Sequence, residues 1–193
     1  SPDGLLASFS VFGKVFNAEL SPTTFPRIDS ILALLCVIHA AGFEIGPILE
    51  NLKFLDLPIG RGNVKTVKGI RIIDDSYNAN QASMSLAVSS LIAMEGKKVA
   101  LLGEMLELGE HSEKAHQIIA DRVGEKIDLV YTFGDGFKEA RFCCNRIHLD
   151  SAEDMDLDKF AKLLDEGSAV LVKGSNKVFW GNDFVPRLTE ALT

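Results

Sequence analysis

The chain has 193 residues, of which 47% are hydrophobic, and a formal net charge of −7 at pH 7. This length and apolar content suffice for a buried core in one domain or one and a half. The acidic balance, without any basic run, excludes a typical nucleic-acid-binding protein and leaves a free nucleotide as the nearest possible ligand of that class.

The sequence also disfavours a membrane or secreted protein. The longest apolar run, residues 31–42, is interrupted by His39 and is too short to cross a bilayer, and no charged and then apolar leader opens the chain. The three cysteines, Cys36, Cys143 and Cys144, lack the spacing of a metal or redox motif. We therefore expect a cytoplasmic, monomeric protein with no membrane partner.

The first segment reads as an incomplete domain. Alternating apolar residues at 7–11 and 14–20 predict a β-hairpin, and a loop at residues 21–26 leads to helices at residues 28–41 and 47–55. Two strands alone are not stable in water, and this opening looks like the tail of a domain, so we expect residues 1–59 to end a domain whose main part lies upstream.

A linker and a second domain follow. Pro58, Gly60 and Gly62 break both periodicities and predict a linker at residues 57–62, with a domain at residues 60–193. Strand patterns then alternate with helical patterns: strands at 70–74, 98–102, 128–133, 146–149 and 169–173, and helices at 81–95, 112–125, 135–142, 153–165 and 184–192. Such alternation predicts an α/β fold, a doubly wound, mostly parallel Rossmann-like sheet with helices on both faces.

Glycine or polar residues follow four of these strands, at residues 74–76, 103–104, 134–135 and 173–175. The carboxyl ends of parallel strands share one edge of a sheet, which is where ligands bind in such folds. Asn80 is expected to cap the helix that starts at residue 81. The sequence contains neither G-x-x-x-x-G-K-[ST] nor a G-x-G-x-x-G after the first strand, so any triphosphate has to be held mainly by another part of the protein.

Three motifs resemble the C-terminal domain of the Mur ligases: DDSYNAN at residues 74–80, LLGEMLELG at residues 101–109 and VKGS at residues 172–175. The resemblance covers residues 57–193 well and the first segment loosely. Within the family it is strongest to the ligases that add D-alanyl-D-alanine to UDP-N-acetylmuramoyl-tripeptide in peptidoglycan synthesis. It implies ATP-driven amide formation, with ATP and magnesium held mainly upstream, and UDP-muramoyl tripeptide, D-alanyl-D-alanine and ATP as small-molecule partners. It implies no catalytic or metal-binding residue in this chain.

The resemblance also implies a nucleotide-binding set: Arg61, Asp75, Tyr77, Asn78 and Asp29. Arg61 matches the family's linker arginine, whose planar guanidinium suits a phosphate. Asp29 stands where the family usually has an asparagine that contacts adenine. Asp75 could instead cap the helix, and Tyr77 and Asn78 could face the acceptor rather than the nucleotide.

A second implied set binds D-alanyl-D-alanine: Lys173, Ser175, Lys177, Glu104 and Glu107. Lys177 is expected to replace an arginine that is common at this point of the family's loop. Each member could instead be a solvated loop residue. His116 also matches a family position, but it flanks the apolar stripe of its helix, which favours a structural role.

Two alternatives to a ligase remain. A receiver-type phosphoacceptor domain also has an acid pair after its first strand and a lysine after its fifth, as Asp74, Asp75 and Lys173 are placed here. It needs an aspartate at the end of its third strand, whereas Asp135 lies just outside that strand. The third possibility is a non-catalytic nucleotide-binding module.

Overall fold

The computed structural model describes residues 5–20, 27–55 and 57–193. The chain forms two compact units, one ending at Leu57 and the other running from Pro58 to Thr193. Each unit has its own hydrophobic core. The predicted loop at residues 21–26 lies outside the described residues.

The first unit is built on an antiparallel hairpin of β1 (Leu5–Val11) and β2 (Lys14–Leu20). Alternate residues of β1 are buried, and α1 (Ile28–Ala40) packs with them in one core. The hairpin and the first helix confirm the prediction. The second predicted helix is shorter, because α2 (Gly46–Asn51) gives way to a 3₁₀ turn at Leu52–Phe54.

The second unit contains six strands in one sheet. They are β3 (Asn63–Val67), β4 (Ile70–Asp75), β5 (Lys98–Gly103), β6 (Leu129–Phe133), β7 (Arg146–Leu149) and β8 (Ala169–Lys173). Their spatial order is β3-β4-β8-β5-β6-β7. β3 pairs antiparallel with β4, and the other neighbours pair parallel.

Helices cover both faces of this sheet. On one face lie α3 (Gln81–Ile92) and α4 (Ser112–Val123), and on the other α5 (Leu157–Ala161) and α6 (Phe184–Ala191). The central strand β8 contributes alternate residues to the two cores, and all five of its residues are buried, as expected for a parallel strand covered on both sides. The predicted doubly wound α/β fold is therefore confirmed.

Strand β3 was not predicted. Its residues are partly or fully exposed, so the segment shows no apolar alternation that a sequence pattern could detect. It forms because a two-residue turn at Lys68 and Gly69, both with positive φ, folds it back onto β4.

The helix predicted at residues 135–142 is wrong. A single 3₁₀ turn forms at Asp135–Phe137. The N–H of Ala140 donates to the carbonyl of Phe137 at 3.1 Å, which is a 3₁₀-type bond. Arg146 also donates from Nη1 to the carbonyls of Phe137 and Ala140, at 2.8 Å each.

The helix predicted at residues 153–165 is much shorter. A 3₁₀ turn at Ala152–Asp154 ends first, and Asp156 then caps a new helix by accepting from the backbone N–H of Lys159 at 2.9 Å. Across the described ranges, none of the helices is long and apolar enough to span a bilayer.

Candidate functional site

The carboxyl ends of β4, β8, β5 and β6 lie side by side at one edge of the sheet, which we call the strand-end edge. Asp75 of β4 pairs in register with Lys173 of β8, and Lys173 pairs with Leu102 of β5. The ends of these strands and the loops that follow them carry all of the predicted site residues except Arg61 and Asp29. The topology therefore gathers most of the predicted site in one place.

Asp75 and Lys173 form an ion pair at the centre of this edge. Lys173 Nζ lies 2.6 Å from Asp75 Oδ2, and the two side chains are 2% and 17% exposed. Lys173 Nζ also donates to the carbonyl of Asn78 at 3.1 Å. The sequence assigned Asp75 to nucleotide and Lys173 to dipeptide, but the structure joins them in one buried contact. Lys173 thus braces the loop after β4.

The turn after β4 is shaped by Asp74 rather than by Asp75. Asp74 Oδ1 accepts from the hydroxyl of Ser76 at 2.5 Å and from its backbone N–H at 3.2 Å. Asn80 caps α3, as predicted, by accepting from the N–H of Ser83 at 2.8 Å, while Ser83 Oγ accepts from the N–H of Asn80 at 3.1 Å. Asp75 is thereby left available for its contact with Lys173 instead of capping.

Two members of the predicted dipeptide set connect neighbouring loops. Ser175 Oγ accepts from the N–H of Leu106 at 2.8 Å. Glu104 Oε2 accepts from the N–H of Gly136 at 3.0 Å, and its side chain lies so close to Gly134 (φ +86°) that a Cβ there would meet Glu104 Cδ at 2.5 Å. These polar atoms hold the loops after β5, β6 and β8 in one arrangement.

Glu107 and Lys177 behave differently, because both are exposed. Glu107 also has a positive φ of 65°. Of the predicted dipeptide set, these are the two whose charged groups face solvent beside the strand-end edge. They are the members of the set best placed to meet a ligand directly.

His116 is fully buried on α4 and holds the loop after β5 from below. Its Nε2 accepts from the N–H of Met105 at 2.9 Å, and its Nδ1 donates to the carbonyl of Ser112 at 2.7 Å. The ring also meets Phe137 edge-on at 4.5 Å between centroids. The pKa of His116 is lowered, chiefly by burial. The Ser112 carbonyl and the charge of Glu104 raise the pKa by smaller amounts. These contacts describe a neutral, structural histidine.

Arg61 lies against an aromatic pair at the strand-end edge. Its guanidinium carbon is 4.1 Å from the centroid of the Tyr77 ring, within the range of a cation–π contact. Tyr77 in turn meets Trp180 edge-on, with 5.4 Å between ring centroids. Sequence reasoning did not identify Trp180, whose one signal is that it is the single tryptophan of the chain.

Asp29 belongs to the first unit, where it is exposed in the first turn of α1. Among the side chains that the structure describes, no three of His, Cys, Asp or Glu come together as a metal site.

A cleft of about 810 Å³ opens beside α6, between β3, β4 and the turn that starts at Trp180. Its walls are mostly apolar, and Asp74 and Ser76 contribute polar atoms. None of the site residues predicted from the sequence lines this cleft.

The strand order separates this sheet from a receiver domain. Numbering the parallel strands along the chain, the order here is 1-5-2-3-4, whereas receiver-type sheets have 2-1-3-4-5. Asp135 lies in the 3₁₀ turn, two residues beyond the end of β6. The receiver alternative does not fit this topology.

Comparison with known proteins shows that the chain is similar to Mur ligases. Residues 60–176 match the family model described as Mur ligase, glutamate ligase domain. The chain is 31% identical over 178 residues to the UDP-N-acetylmuramoyl-tripeptide–D-alanyl-D-alanine ligase of Borreliella burgdorferi, covering 87% of this chain and 38% of that protein. It is 42% identical over 74 residues to the ligase of the same name from Bacillus subtilis, covering 37% of this chain and 16% of that protein.

Solved structures show the same fold. The crystal structure of MurF ligase from Thermotoga maritima in complex with ADP superposes with a TM-score of 0.84 at 28% identity, covering all of this chain and 44% of that one. A MurF structure from Acinetobacter baumannii gives a TM-score of 0.83 at 21% identity, covering 98% of this chain and 43% of that one. The chain thus spans less than half the length of these relatives.

Proposed function

The chain belongs to the Mur ligase family, and we propose that it is the C-terminal part of an ATP-dependent ligase that adds D-alanyl-D-alanine to UDP-N-acetylmuramoyl-tripeptide in peptidoglycan synthesis. Residues 1–59 would end the ATP-binding domain, and residues 60–193 would form the acceptor-binding domain. The observation that carries the proposal is the similarity of 87% of the chain, at 31% identity, to a ligase named for this activity.

The strand-end edge supports this function chemically. ATP would transfer a phosphoryl group to the tripeptide carboxylate, giving ADP and an acyl phosphate. The amine of the dipeptide would then attack the acyl carbon, forming the amide bond and releasing phosphate. Such a reaction asks the protein for positioning and charge stabilisation rather than for a covalent nucleophile. We assign that positioning to two neighbouring parts of the edge, one toward the nucleotide and one toward the dipeptide.

On the nucleotide side we propose Arg61, Asp75, Tyr77 and Asn78. Asp29 of the first unit is a separate proposed nucleotide contact. On the dipeptide side, we propose that Lys177 and Glu107, both exposed, contact the dipeptide. Lys173, Ser175 and Glu104 would instead shape its pocket, since their polar atoms bond to Asp75, Leu106 and Gly136. Magnesium and most of the ATP contacts would lie upstream. The protein would act as a cytoplasmic monomer on small molecules.

Replacing Lys177 by Met in the complete ligase tests the dipeptide assignment. A charge-assisted contact to the dipeptide carboxylate is worth about 1.5–3 kcal/mol, so the KM for D-alanyl-D-alanine should rise roughly 10- to 100-fold while the KM for ATP stays the same. Lys138→Met, an exposed lysine of another loop, serves as the matched control. A rise confined to ATP would place this loop at the nucleotide instead.

A second experiment concerns the 193-residue chain by itself. Because its sequence contains no phosphate-binding loop, we expect the purified chain to form no product from ATP, magnesium and both substrates. Turnover above background would contradict the division of labour proposed here.

A further inference from the structure

We propose that Trp180 is a positioning residue for Arg61, acting through Tyr77 and Gly60; this rests on the proposed function, which gives Arg61 its task at the nucleotide. Trp180 follows β8, whereas Arg61 precedes β3. The contacts from Trp180 through Tyr77 to Arg61 therefore connect the loop at the dipeptide side of the strand-end edge to the arginine at the nucleotide side.

The backbone on both sides of Arg61 is hydrogen-bonded to β4 and to the turn after it. The N–H of Tyr77 donates to the carbonyl of Gly60 at 3.0 Å, and the N–H of Gly62 donates to the carbonyl of Asp74 at 2.6 Å. The Cα atom of Arg61 is thereby fixed relative to β4. The N–H of Arg61 itself donates to the carbonyl of Pro58 at 3.1 Å, so the preceding part of the linker also holds it in place.

Gly60 shows how closely the chain passes over Trp180. The glycine is buried and has a φ of +75°, and a Cβ at this position would lie 2.5 Å from Trp180 Cζ3 and 3.1 Å from Tyr77 Cβ. Only a residue without a Cβ fits against the indole in this conformation. The backbone at Gly60 therefore packs directly against the indole ring of Trp180.

The side chains continue the same arrangement. The guanidinium of Arg61 lies over the face of Tyr77, and the Tyr77 ring is buttressed by the edge contact with Trp180. The turn that carries Trp180 is itself held, because the N–H of Gly181 donates to the carbonyl of Asn176 at 3.0 Å. Tyr77 and Trp180 remain 37% and 40% exposed, so the stack lies at the surface, where a ligand can reach the guanidinium.

The consequence is a preorganised arginine. A guanidinium held on a ring face keeps a defined plane and direction for its N–H groups, so less side-chain freedom is lost when it meets a phosphate. Without the indole of Trp180, the Tyr77 ring loses its edge contact and the backbone at Gly60 loses its packing partner. Arg61 should then reach the reacting phosphate in the right orientation less often, which lowers kcat more than it changes the KM for the dipeptide.

The decisive experiment is a double-mutant cycle in the complete ligase with Trp180→Ala and Arg61→Met. Each single change should lower kcat about tenfold, since misplacement of a positioning group weakens the reactive geometry. The double variant should be no slower than Arg61→Met alone, and Trp180→Phe should restore most of the rate. Arg187→Met, an exposed arginine on α6, should leave kcat unchanged.

Two kinetic outcomes would overturn the proposal. If Trp180→Ala slows the Arg61→Met variant as much as it slows the wild type, the tryptophan acts independently of the arginine. If Arg61→Met retains the wild-type kcat, Trp180 has no functional arginine to position. A wild-type ligase that forms no amide bond at all would instead reject the proposed function.

Fluorescence of the 193-residue chain tests directly whether the contact between Tyr77 and Trp180 forms in solution, because Trp180 is the single tryptophan of the chain. Tyr77→Leu should shift the fluorescence emission of Trp180 to longer wavelength by removing the ring that covers its edge. Arg187→Met should leave the emission unchanged. Emission identical in wild type and Tyr77→Leu would show that the stack does not form in solution and would overturn the proposal whatever the activity.

Discussion

Two side-chain contacts, which we call clamps, hold loops at the strand-end edge. One of them is an ion pair, and the other is a hydrogen bond to a neutral side chain. After β4, the loop is fastened by charge, through the buried pair of Lys173 and Asp75 at 2.6 Å. After β5, the loop is fastened without charge, through neutral His116, whose Nε2 accepts from Met105 at 2.9 Å. A charged clamp depends on both partners being present, whereas a neutral one depends on the imidazole staying unprotonated. The two should therefore respond differently to substitution and to pH.

The largest effect is expected from breaking the charged clamp. Lys173→Met removes the ammonium group beside Asp75 while the carboxylate stays only 17% exposed, and breaking a buried pair in this way costs about 3 kcal/mol of the free energy of unfolding. Urea denaturation followed by the fluorescence of Trp180, which lies in the second unit, would measure the loss.

The matched control for this clamp is the double variant Lys173→Met with Asp75→Leu. It replaces both charges by apolar groups and should recover much of the stability, because no unbalanced charge remains buried. If the double variant is as unstable as the single one, the contact does not act as an ion pair.

The neutral clamp should lose less. His116→Leu keeps an apolar side chain in the core but removes the acceptor for the buried N–H of Met105, at a cost of about 2 kcal/mol. His111→Gln, at an exposed histidine just before α4, is the control and should unfold like the wild type. A His116→Leu chain of undiminished stability would show that the loop does not need this bond.

The same histidine predicts how stability depends on pH. Burial lowers the pKa of His116 below its ordinary value of 6.5, so the unfolded chain binds more protons than the folded one as the pH falls through that value. The contribution of neutral His116 to the free energy of unfolding is therefore complete above pH 6.5 and is lost progressively as the pH falls below 6.5.

Urea midpoints of the wild type should therefore decrease from about pH 7.5 to about pH 5.5, and those of His116→Leu should decrease less steeply. Some slope should remain, because the pKa of His148 is also lowered, chiefly by burial and then by Arg146. Equal slopes in the two proteins would assign the pH dependence to other groups.

A smaller effect is expected at the cap that starts α3. Asn80→Ala removes the acceptor for the N–H of Ser83 and should cost about 1 kcal/mol, whereas Asn80→Gly should cost only a few tenths. Thermal or urea unfolding of both variants would test this. If Asn80→Ala unfolds like the wild type, the side chain of Asn80 contributes little to the stability of α3.

The smallest effect is expected from an exposed ion pair, which sharpens the contrast with Lys173. Lys97 Nζ lies 3.4 Å from Asp165 Oδ2, but the side chains are 36% and 78% exposed. Asp165→Asn should change the free energy of unfolding by less than about 1 kcal/mol, and raised salt should reduce the difference further. A loss as large as that of Lys173→Met would remove burial as the reason for the difference between the pairs.

Features set by neighbouring residues could be predicted from the sequence. The strand β4, the polar turn after it and the cap at Asn80 all follow from local pattern and side-chain chemistry, and the structure contains each of them. The alternation of strands and helices likewise predicted the sheet and its strand-end edge.

Features set by distant residues could not be predicted. The partner of Lys173 is fixed by the insertion of β8 between β4 and β5, which no local pattern reveals. The segment predicted as a helix at residues 135–142 instead forms a 3₁₀ turn, and its carbonyls at Phe137 and Ala140 accept from Arg146 of the following strand, a contact that no local pattern reveals. Trp180 escaped notice because its meaning lies in its contact with Tyr77 and Gly60.

The central place of β8 also bears on how the second unit is made. β8 is the last strand along the described chain, yet it separates the β3–β4 pair from the β5–β6–β7 group. On the ribosome, the two groups emerge first and cannot join until β8 enters between them. Each then waits with an unpaired inner edge, a state open to wrong pairing with other chains. Folding of this unit should therefore finish only after residues 169–173 have left the exit tunnel.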